Sequence, residues 1–388
     1  MRTIMLLICV FFASIVHAQL PVGETHREVP HPPAAERDSA HRPMLRVTIW
    51  YPAAPGSIEK PILIGPEGKP LFDIGMAAPD APPAPNPRSG KRPVILLSHG
   101  FGGTARIMGW FGVAMARAGY VVIAVDHPGN NGLDPMTVPG AVLGWERPGD
   151  LRRALEFALA DSQIGSHIDS TRIGIAGFSL GGFTALVGAG ARADLPRLRR
   201  FCAAHPLDGV CRPQIEFPIS PAQRAAFEND PANTELIGNA GADHSIPHVR
   251  AVFAMAPAVV QGLTPESLRH VAVPVSIILG GSDDVAPPQT NGVLAARLIP
   301  HAQLKIIAGA GHYNFLANCA PGADLPICAG GASQEDVHAA AIGAALRLFR
   351  QHLAVVERRS GGGLPALRSR RAPAAIDPHH QPIKVSTI

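Results

Sequence analysis

A serine, an aspartate and a histidine follow one another along this chain in an order that suits nucleophilic chemistry. Ser179, the adjacent pair Asp283 and Asp284, and His312 each come after an apolar, strand-like run. A serine hydroxyl becomes a nucleophile when a histidine removes its proton and a carboxylate orients that histidine. Residues that follow parallel strands lie at the carboxyl edge of a sheet, where ligands bind. We therefore take Ser179 as the candidate nucleophile, His312 as its base and one of the two aspartates as the acid.

The surroundings of Ser179 favour a strand, a sharp turn and then a helix. The pentapeptide GFSLG at 177–181 lies between the apolar run 172–176 and the small-residue run 182–188. Glycines in such a turn let a strand and a helix approach closely, because they carry no Cβ atom. The helix would direct main-chain N–H groups at the serine, where an oxyanion develops. A plain glycine-rich turn is the alternative for the pentapeptide taken alone.

An oxyanion needs two main-chain donors. Leu180, directly after the serine, is one expected donor, and Phe101 in the turn HGFG at 99–102 is the other. The alternative for this turn is a plain connection between a strand and a helix. We expect His99 to brace the turn, and His127, at the end of another strand-like run, to shape the rim of the pocket.

The choice between the two aspartates stays open at this point. Both follow the run 274–279, so position after a strand does not separate Asp283 from Asp284. Pro287 fixes its own φ and biases the preceding residue towards extended geometry, which constrains where each carboxylate points. Asp126 is the next candidate if neither is the acid.

The elements that must position these residues alternate between strand and helix. Continuous apolar runs are typical of strands buried on both faces, and the alternation predicts an α/β fold with a doubly wound, mostly parallel sheet. The predicted strands are 45–51, 93–98, 120–125, 172–176, 250–255, 274–280 and 303–307. The predicted helices are 105–118, 149–161, 182–188, 288–299 and 335–353. We expect an extended segment at 20–43 and a long proline-rich connection at 76–92.

One domain is expected over residues 19–356. Residues 194–248 interrupt the alternation with prolines, a cysteine pair and no clear buried strand. They are expected to form an insertion near the carboxyl ends of the strands, as a lid over the site; a surface excursion is the alternative. The basic, glycine-rich tail at 357–388 is expected to be disordered.

Residues 1–18 have the pattern of a secretory signal peptide. Arg2 precedes an apolar run at 4–16, and small residues stand before Gln19. A membrane anchor is the alternative, but the run is shorter than the ~20 residues that span a bilayer. An exported protein without a stable membrane span is therefore expected, in the periplasm or the medium.

Four of the five cysteines lie beyond that signal, in two local pairs. Cys202 and Cys211 enclose eight residues, as do Cys319 and Cys328. Four cysteines allow three connectivities, and in an oxidising compartment the two local disulfides are the expected ones. A zinc site is the alternative, although neither pair has the usual short spacing. No metal or cofactor is expected.

The charge distribution argues against a nucleic-acid partner. The chain has 34 basic and 30 acidic residues, and the tail at 357–388 holds six of the basic and two of the acidic ones. The basic character therefore comes from the tail, and the domain has no electrostatic footprint for nucleic acid.

Five motifs recur in one known superfamily. They are IWYP at 49–52, LSHGFGG at 97–103, DHPGN at 126–130, GFSLGG at 177–182 and GHYNFL at 311–316, with Cys319 close behind. In these motifs the chain resembles the α/β-hydrolase superfamily. Within it, the chain is similar to bacterial proteins described as predicted dienelactone hydrolases, which are related to platelet-activating factor acetylhydrolase. The resemblance covers roughly residues 45–350.

The resemblance implies an α/β-hydrolase fold with the chain order serine, acid, histidine. It also implies a serine hydrolase that acts on small or lipid-like carboxylic esters without a cofactor; with the signal pattern at 1–18, an exported enzyme is expected. True dienelactone hydrolases carry a cysteine where this chain has Ser179, which argues against dienelactone as the substrate.

The run at 283–287 resembles the acid loop of bacterial cutinase-like polyester hydrolases. In that loop the acid lies four residues before the proline, which is Asp283 here, so that Asp284 would face solvent or cap the next helix. A cutinase-like polyester hydrolase is thus an alternative function. A peptidase or acyltransferase on the same fold is another, and a non-catalytic binding protein is disfavoured by the complete set of serine, acid and histidine. The oligomeric state stays open.

Overall fold

The computed structural model describes residues 19–85, 90–328 and 332–354. The signal peptide predicted at 1–18 and the tail predicted at 357–388 lie outside the described residues. In the described part of the chain, no helix is both long and apolar enough to cross a membrane.

One mixed sheet of 11 strands runs through the described part of the chain. Its strands are β1 (Val22–Pro30), β2 (Met44–Pro52), β3 (Lys60–Ile64), β4 (Phe72–Pro79), β5 (Arg92–Ser98), β6 (Val121–Asp126), β7 (Ile168–Phe178), β8 (Val249–Met255), β9 (Val275–Gly280), β10 (Gln303–Ile307) and β11 (Asn318–Cys319). Their order is β10-β9-β8-β7-β5-β6-β2-β1-β4-β11, with β3 paired to β4. From β10 to β6 all neighbours are parallel, whereas β2 is antiparallel to both β6 and β1. The predicted mostly parallel sheet is confirmed.

Helices cover both faces of this sheet. They are α1 (Gly109–Arg117), α2 (Val138–Val142), α3 (Arg147–Ala160), α4 (Leu180–Gly188), α5 (Leu195–Ala204), α6 (Pro221–Asn229), α7 (Thr234–Gly238), α8 (Pro265–Arg269), α9 (Gly292–Leu298) and α10 (Gln334–His352). The helices α3, α4 and α9 share one apolar core, and α1 and α10 share the other. The fold is therefore doubly wound, as predicted.

The strand β5 explains why the central runs are apolar throughout. Successive side chains of a strand point to opposite faces. Val94 and Leu96 accordingly enter the core beneath α3 and α4, while Ile95 and Leu97 enter the core beneath α1 and α10. Each side chain is fully buried, which stabilises the fold by roughly 1.5–3 kcal/mol per residue.

The first third of the chain contains more sheet than we predicted. The connection predicted at 76–92 is wrong over 76–79, because these residues belong to β4, which pairs with β1 and β3. The segment Gly75-Met76-Ala77-Ala78 has weak β-propensity, so only its burial and pairing in the folded chain make it a strand. Within the extended segment predicted at 20–43, β1 pairs with β2 along its whole length.

Candidate active site

Ser179 occupies the sharp turn that joins β7 to α4. Its φ is +56°, in the left-handed region that costs a non-glycine residue about 1–3 kcal/mol. The neighbouring glycines make the turn possible, because a Cβ atom on Gly177 would overlap the Gly181 carbonyl and one on Gly181 would overlap the Ser98 carbonyl. The sequence thus builds a strained turn that presents the Ser179 hydroxyl at the carboxyl edge of the sheet.

Two hydrogen bonds join Ser179, His312 and Asp283 in series. His312 Nε2 lies 2.9 Å from Ser179 Oγ, and His312 Nδ1 lies 2.7 Å from Asp283 Oδ2. The carboxylate of Asp283 accepts from Nδ1–H, which leaves Nε2 free of a proton and able to accept the serine proton. All three residues are nearly buried, with exposures of 6%, 4% and 5% for Ser179, His312 and Asp283.

The loop after β9 distinguishes the two aspartates. Asp283 Oδ1 accepts hydrogen bonds from the N–H groups of Val285, at 3.0 Å, and Ala286, at 2.7 Å. These bonds turn the Asp283 side chain inward and leave Oδ2 for His312. Asp284 is exposed. Asp126 Oδ1 instead accepts from the Ala105 N–H at 2.7 Å.

The expected oxyanion donors flank the serine. Leu180 is the first residue of α4, and the turn that contains Phe101 lies against the serine, because a Cβ atom on Gly100 would be 3.3 Å from Ser179 Cβ. Neither the Phe101 nor the Leu180 N–H donates to an acceptor within the described part of the chain. Both groups are therefore available to an oxygen that develops charge beside Ser179.

His127 does not lie on the pocket rim, so that expectation was wrong. Its side chain is 0% exposed, with Nδ1 2.9 Å from Asp150 Oδ2 and Nε2 2.9 Å from Ser98 Oγ. Burial, followed by the charge of Arg147, lowers the pKa of His127 to about 3. Sequence reasoning missed Asp150, which is buried in the first turn of α3, because an aspartate near the start of a helix has the same sequence pattern when it is exposed.

The segment after α5 reaches the loops that carry the site. The Arg212 guanidinium donates to the main-chain oxygen of Asp284 at 3.0 Å. Glu216 packs its Cβ against Gly102 and accepts a hydrogen bond from the Tyr313 hydroxyl at 3.1 Å. This part of the predicted insertion therefore contacts the acid loop, the Phe101 turn and the residue after His312.

Both local cysteine pairs are joined in the structure. The Cα atoms of Cys202 and Cys211 lie 5.2 Å apart, and those of Cys319 and Cys328 lie 6.0 Å apart. The first disulfide closes the segment that leads to Arg212, and the second closes the segment that follows the His312 loop. Each disulfide thus restrains a stretch of chain beside the site.

The arrangement can carry out nucleophilic acyl transfer. It has a buried serine next to an unprotonated imidazole nitrogen, a carboxylate behind that ring, and two free main-chain donors. Among residues 19–85, 90–328 and 332–354, no group of three or more His, Cys, Asp or Glu side chains could hold a metal ion.

Known proteins resemble this chain in sequence and in fold. The sequence profile described as "Alpha/beta hydrolase family" matches residues 94–324. "Cutinase est1" of Thermobifida alba is 35% identical over 103 residues, which are 26% of this chain and 31% of that cutinase. "Cutinase 2" of Thermobifida cellulosilytica is 34% identical over 103 residues, which are 26% of this chain and 36% of its own length. The chain thus matches about a third of the length of these relatives.

One solved structure aligns with most of this chain. The "Ferulic acid esterase from Streptomyces cinnamoneus" aligns with 87% of this chain and 91% of its own, with a TM-score of 0.57 and 20% sequence identity. The two proteins share a fold.

Proposed function

This chain belongs to the alpha/beta hydrolase family, and we propose that it is a serine hydrolase of carboxylic esters. The observation that carries the proposal is the unbroken series of hydrogen bonds from Ser179 through His312 to Asp283. A histidine held in one tautomer by a carboxylate can take the proton of a serine as the serine attacks an acyl carbon.

The proposed reaction has two halves. Ser179 Oγ attacks the ester carbonyl carbon, and its proton passes to His312 Nε2. The Phe101 and Leu180 N–H groups hold the oxyanion, and His312 then protonates the leaving alcohol. A water molecule, deprotonated by the same nitrogen, hydrolyses the acyl-enzyme, releases the acid and restores the serine. Asp283 orients His312 throughout and stabilises its charged form.

Two substrate classes are proposed for this site. The resemblance to proteins related to platelet-activating factor acetylhydrolase favours small or lipid-like esters. The 35% identity to a cutinase over 103 residues favours a polyester or a similar aliphatic ester to the same degree. A peptidase or acyltransferase would use the same residues, but neither receives separate support.

We also propose that the protein is exported. The two disulfides are what an oxidising compartment would produce, and the pattern at 1–18 is that of a secretory signal. The segment at 194–248 is proposed to border the substrate, since Glu216 contacts both Gly102 and Tyr313.

A panel of substrates tests the function. Purified protein is offered p-nitrophenyl esters of increasing acyl length, a short-chain acetyl phospholipid, an aliphatic polyester film and a peptide p-nitroanilide. Hydrolysis of one or more esters with negligible cleavage of the anilide is expected. Cleavage of the anilide alone, or no turnover of any ester, would overturn the proposed function.

A further inference from the structure

A second series of buried hydrogen bonds ends at the turn that carries Phe101. Asp150 Oδ2 lies 2.9 Å from His127 Nδ1, and His127 Nε2 lies 2.9 Å from Ser98 Oγ. The main-chain N–H of His127 donates to His99 Nε2 at 3.1 Å, and His99 Nδ1 lies 2.7 Å from the Gly100 carbonyl oxygen. None of these groups belongs to the series that contains His312.

The serine of this second Ser–His–Asp series, Ser98, cannot act as a nucleophile. Ser98, His127 and Asp150 are each 0% exposed, so no substrate reaches the Ser98 hydroxyl. Burial raises the pKa of Asp150, but the charge of Arg37 and the hydrogen bonds that Asp150 accepts outweigh that and hold it well below its usual value. The ionised Asp150 accepts from His127 Nδ1–H, so His127 Nε2 accepts from Ser98. The His127 ring is therefore fixed in place.

The bond from His127 determines where the proton of His99 lies. A main-chain N–H can only donate, so His99 Nε2 must accept and carries no proton. Burial, then the charge of Arg147, holds the pKa of His99 well below its usual value, and the ring is neutral. Its one ring proton is on Nδ1, which faces the Gly100 oxygen.

Arg147 helps to keep the His99 ring neutral, although its side chain also approaches Nδ1. Its Nη2 donates to the His99 carbonyl oxygen at 2.8 Å. Nη2 also lies 3.2 Å from His99 Nδ1, but since Nδ1 carries the proton, that approach is a contact between two donors. A fully buried guanidinium at this distance opposes a second proton on the imidazole.

The Gly100 oxygen and the Phe101 N–H belong to one peptide group. A hydrogen bond to the oxygen of an amide polarises the amide and makes its N–H a stronger donor. Because the peptide group is planar, the same bond also fixes the direction of that N–H. The Gly103 N–H also donates to this oxygen, at 3.3 Å, so the hydrogen bond from His99, at 2.7 Å, is the shorter of the two.

We propose that His99 is a positioning residue for the oxyanion hole, acting through the Gly100–Phe101 peptide, and that Asp150, His127 and Ser98 set the tautomer this requires. The inference rests on the proposed function, in which the Phe101 N–H holds the oxyanion. In this proposal the buried series of Asp150, His127 and Ser98 helps to stabilise the oxyanion in the transition state, in addition to packing in the core.

Two substitutions at one position separate the two contacts of His99. In His99→Asn the side-chain amide nitrogen replaces Nδ1 and keeps a donor for Gly100. In His99→Gln the longer side chain keeps a partner for the His127 N–H but loses the donor at Nδ1. Tyr51→Phe is the control, because it removes one buried bond, from the Tyr51 hydroxyl to the Ala81 oxygen at 2.7 Å, and neither residue belongs to the buried series described above.

We expect His99→Gln to lower kcat about tenfold, with little change in KM, because a hydrogen bond to the donor peptide matters less than the donor itself, whose loss costs about 10²–10³. Affinity for a trifluoromethyl ketone that mimics the tetrahedral intermediate should fall by the same factor. His99→Asn should retain most of the kcat and most of the affinity for the ketone. Tyr51→Phe should lower Tm and leave kcat and this affinity unchanged. Equal losses in His99→Asn and His99→Gln would overturn the proposal.

A measurement on the unmodified protein does not depend on activity. Long-range ¹H–¹⁵N spectra should show the His99 ring as the Nδ1–H tautomer, unchanged from about pH 5 to 9. An Nε2–H tautomer, or titration in that range, would overturn the proposal even if the protein hydrolyses esters. Absence of ester hydrolysis in the unmodified protein would instead refute the proposed function, and the spectra would still report the hydrogen bond.

Discussion

The Tyr313 hydroxyl donates a hydrogen bond to Glu216 Oε1 at 3.1 Å and joins the segment after α5 to the residue that follows His312. The same glutamate packs its Cβ against Gly102, one residue from the expected oxyanion donor Phe101. One side chain therefore touches both the turn and the loop that flank Ser179. A bridge of this kind would limit which esters reach the serine.

Breaking the bridge should change selectivity. Glu216→Ala and Tyr313→Phe are each expected to shift the ratio of kcat/KM for long-chain over short-chain esters by about threefold to tenfold. The loss of one contact at the wall of a pocket should matter less than a whole methylene group of substrate, which is worth about 10–200-fold. Activity on a small acetate ester should change less. Glu235→Ala, at an exposed position in α7, is the control. An unchanged ratio in folded variants would mean that the segment at 194–248 is a surface excursion.

Ser179→Ala should abolish covalent labelling by a fluorophosphonate. The hydroxyl is the attacking group, and alanine retains the Cβ atom that the turn already accommodates, so the variant should fold with a Tm close to that of the parent. Labelling is followed by intact-mass spectrometry. Ser166→Ala, at an exposed serine, should label normally. Labelled and active Ser179→Ala protein would contradict the proposed mechanism.

Asp283→Asn and Asp284→Asn should differ by orders of magnitude in kcat. Asp283 Oδ2 lies 2.7 Å from His312 Nδ1, and replacing such a carboxylate by an amide costs on the order of 10⁴ in kcat because the wrong tautomer is favoured. Asp284 is exposed, and its replacement should change kcat less than about threefold, as a surface substitution does. Steady-state kinetics on one ester decide this. The reverse pattern would assign the acid to Asp284.

Both disulfides should be present in protein that is isolated without a reducing agent. Non-reducing peptide mapping should return only the pairs Cys202–Cys211 and Cys319–Cys328. Each closes a short loop, so loss of one should cost about 2–3 kcal/mol of unfolding free energy. Cys202→Ser with Cys211→Ser should also lower kcat, since the closed segment leads to Arg212 beside the acid loop. Crossed peptides, or four free thiols, would contradict the pairing.

Asp126→Asn should stabilise the protein at high pH. Burial raises the pKa of Asp126 to about 6, opposed by the hydrogen bond from the Ala105 N–H. The folded state thus binds this proton more tightly than the unfolded chain, so Asp126 lowers stability as pH rises from about 4 to above 6. Asparagine keeps an acceptor for Ala105 and removes the penalty, worth about 3 kcal/mol at pH 8.

The measurement for Asp126 is urea unfolding of both proteins at pH 4 and pH 8. The gain in Asp126→Asn should appear at pH 8 and largely disappear near pH 4, where the carboxyl is protonated in the folded state and about half protonated in the unfolded chain. The variant should also keep the proposed esterase activity of the parent, because the Asp126 carboxylate accepts a hydrogen bond from Ala105 and not from His312. An equal gain at both pH values would show that titration is not the cause.

Local chain features were enough to predict the parallel part of the sheet and the edge at which the candidate site lies, but not β1, β3, β4 or β11. A strand that is buried on both faces is apolar along its whole length. The strands β5 and β6 can therefore be recognised as apolar runs without any knowledge of their neighbours. The turn at Ser179 has an equally local sequence pattern. Gly177 is required by its contact with Gly181, whereas Gly181 is required by its contact with Ser98 on β5, which is distant in sequence.

The orientation of Asp283 and the burial of His127 depend on contacts between residues that are distant in sequence. The direction of the Asp283 carboxylate depends on the N–H groups of its own loop and on His312, 29 residues away. His127 is buried because Asp150 on α3 and Ser98 on β5 each meet one nitrogen of its ring. A histidine at a strand end has the same sequence pattern whether it faces solvent or a buried carboxylate. Its environment, and hence its charge and role, exists only once the chain has folded.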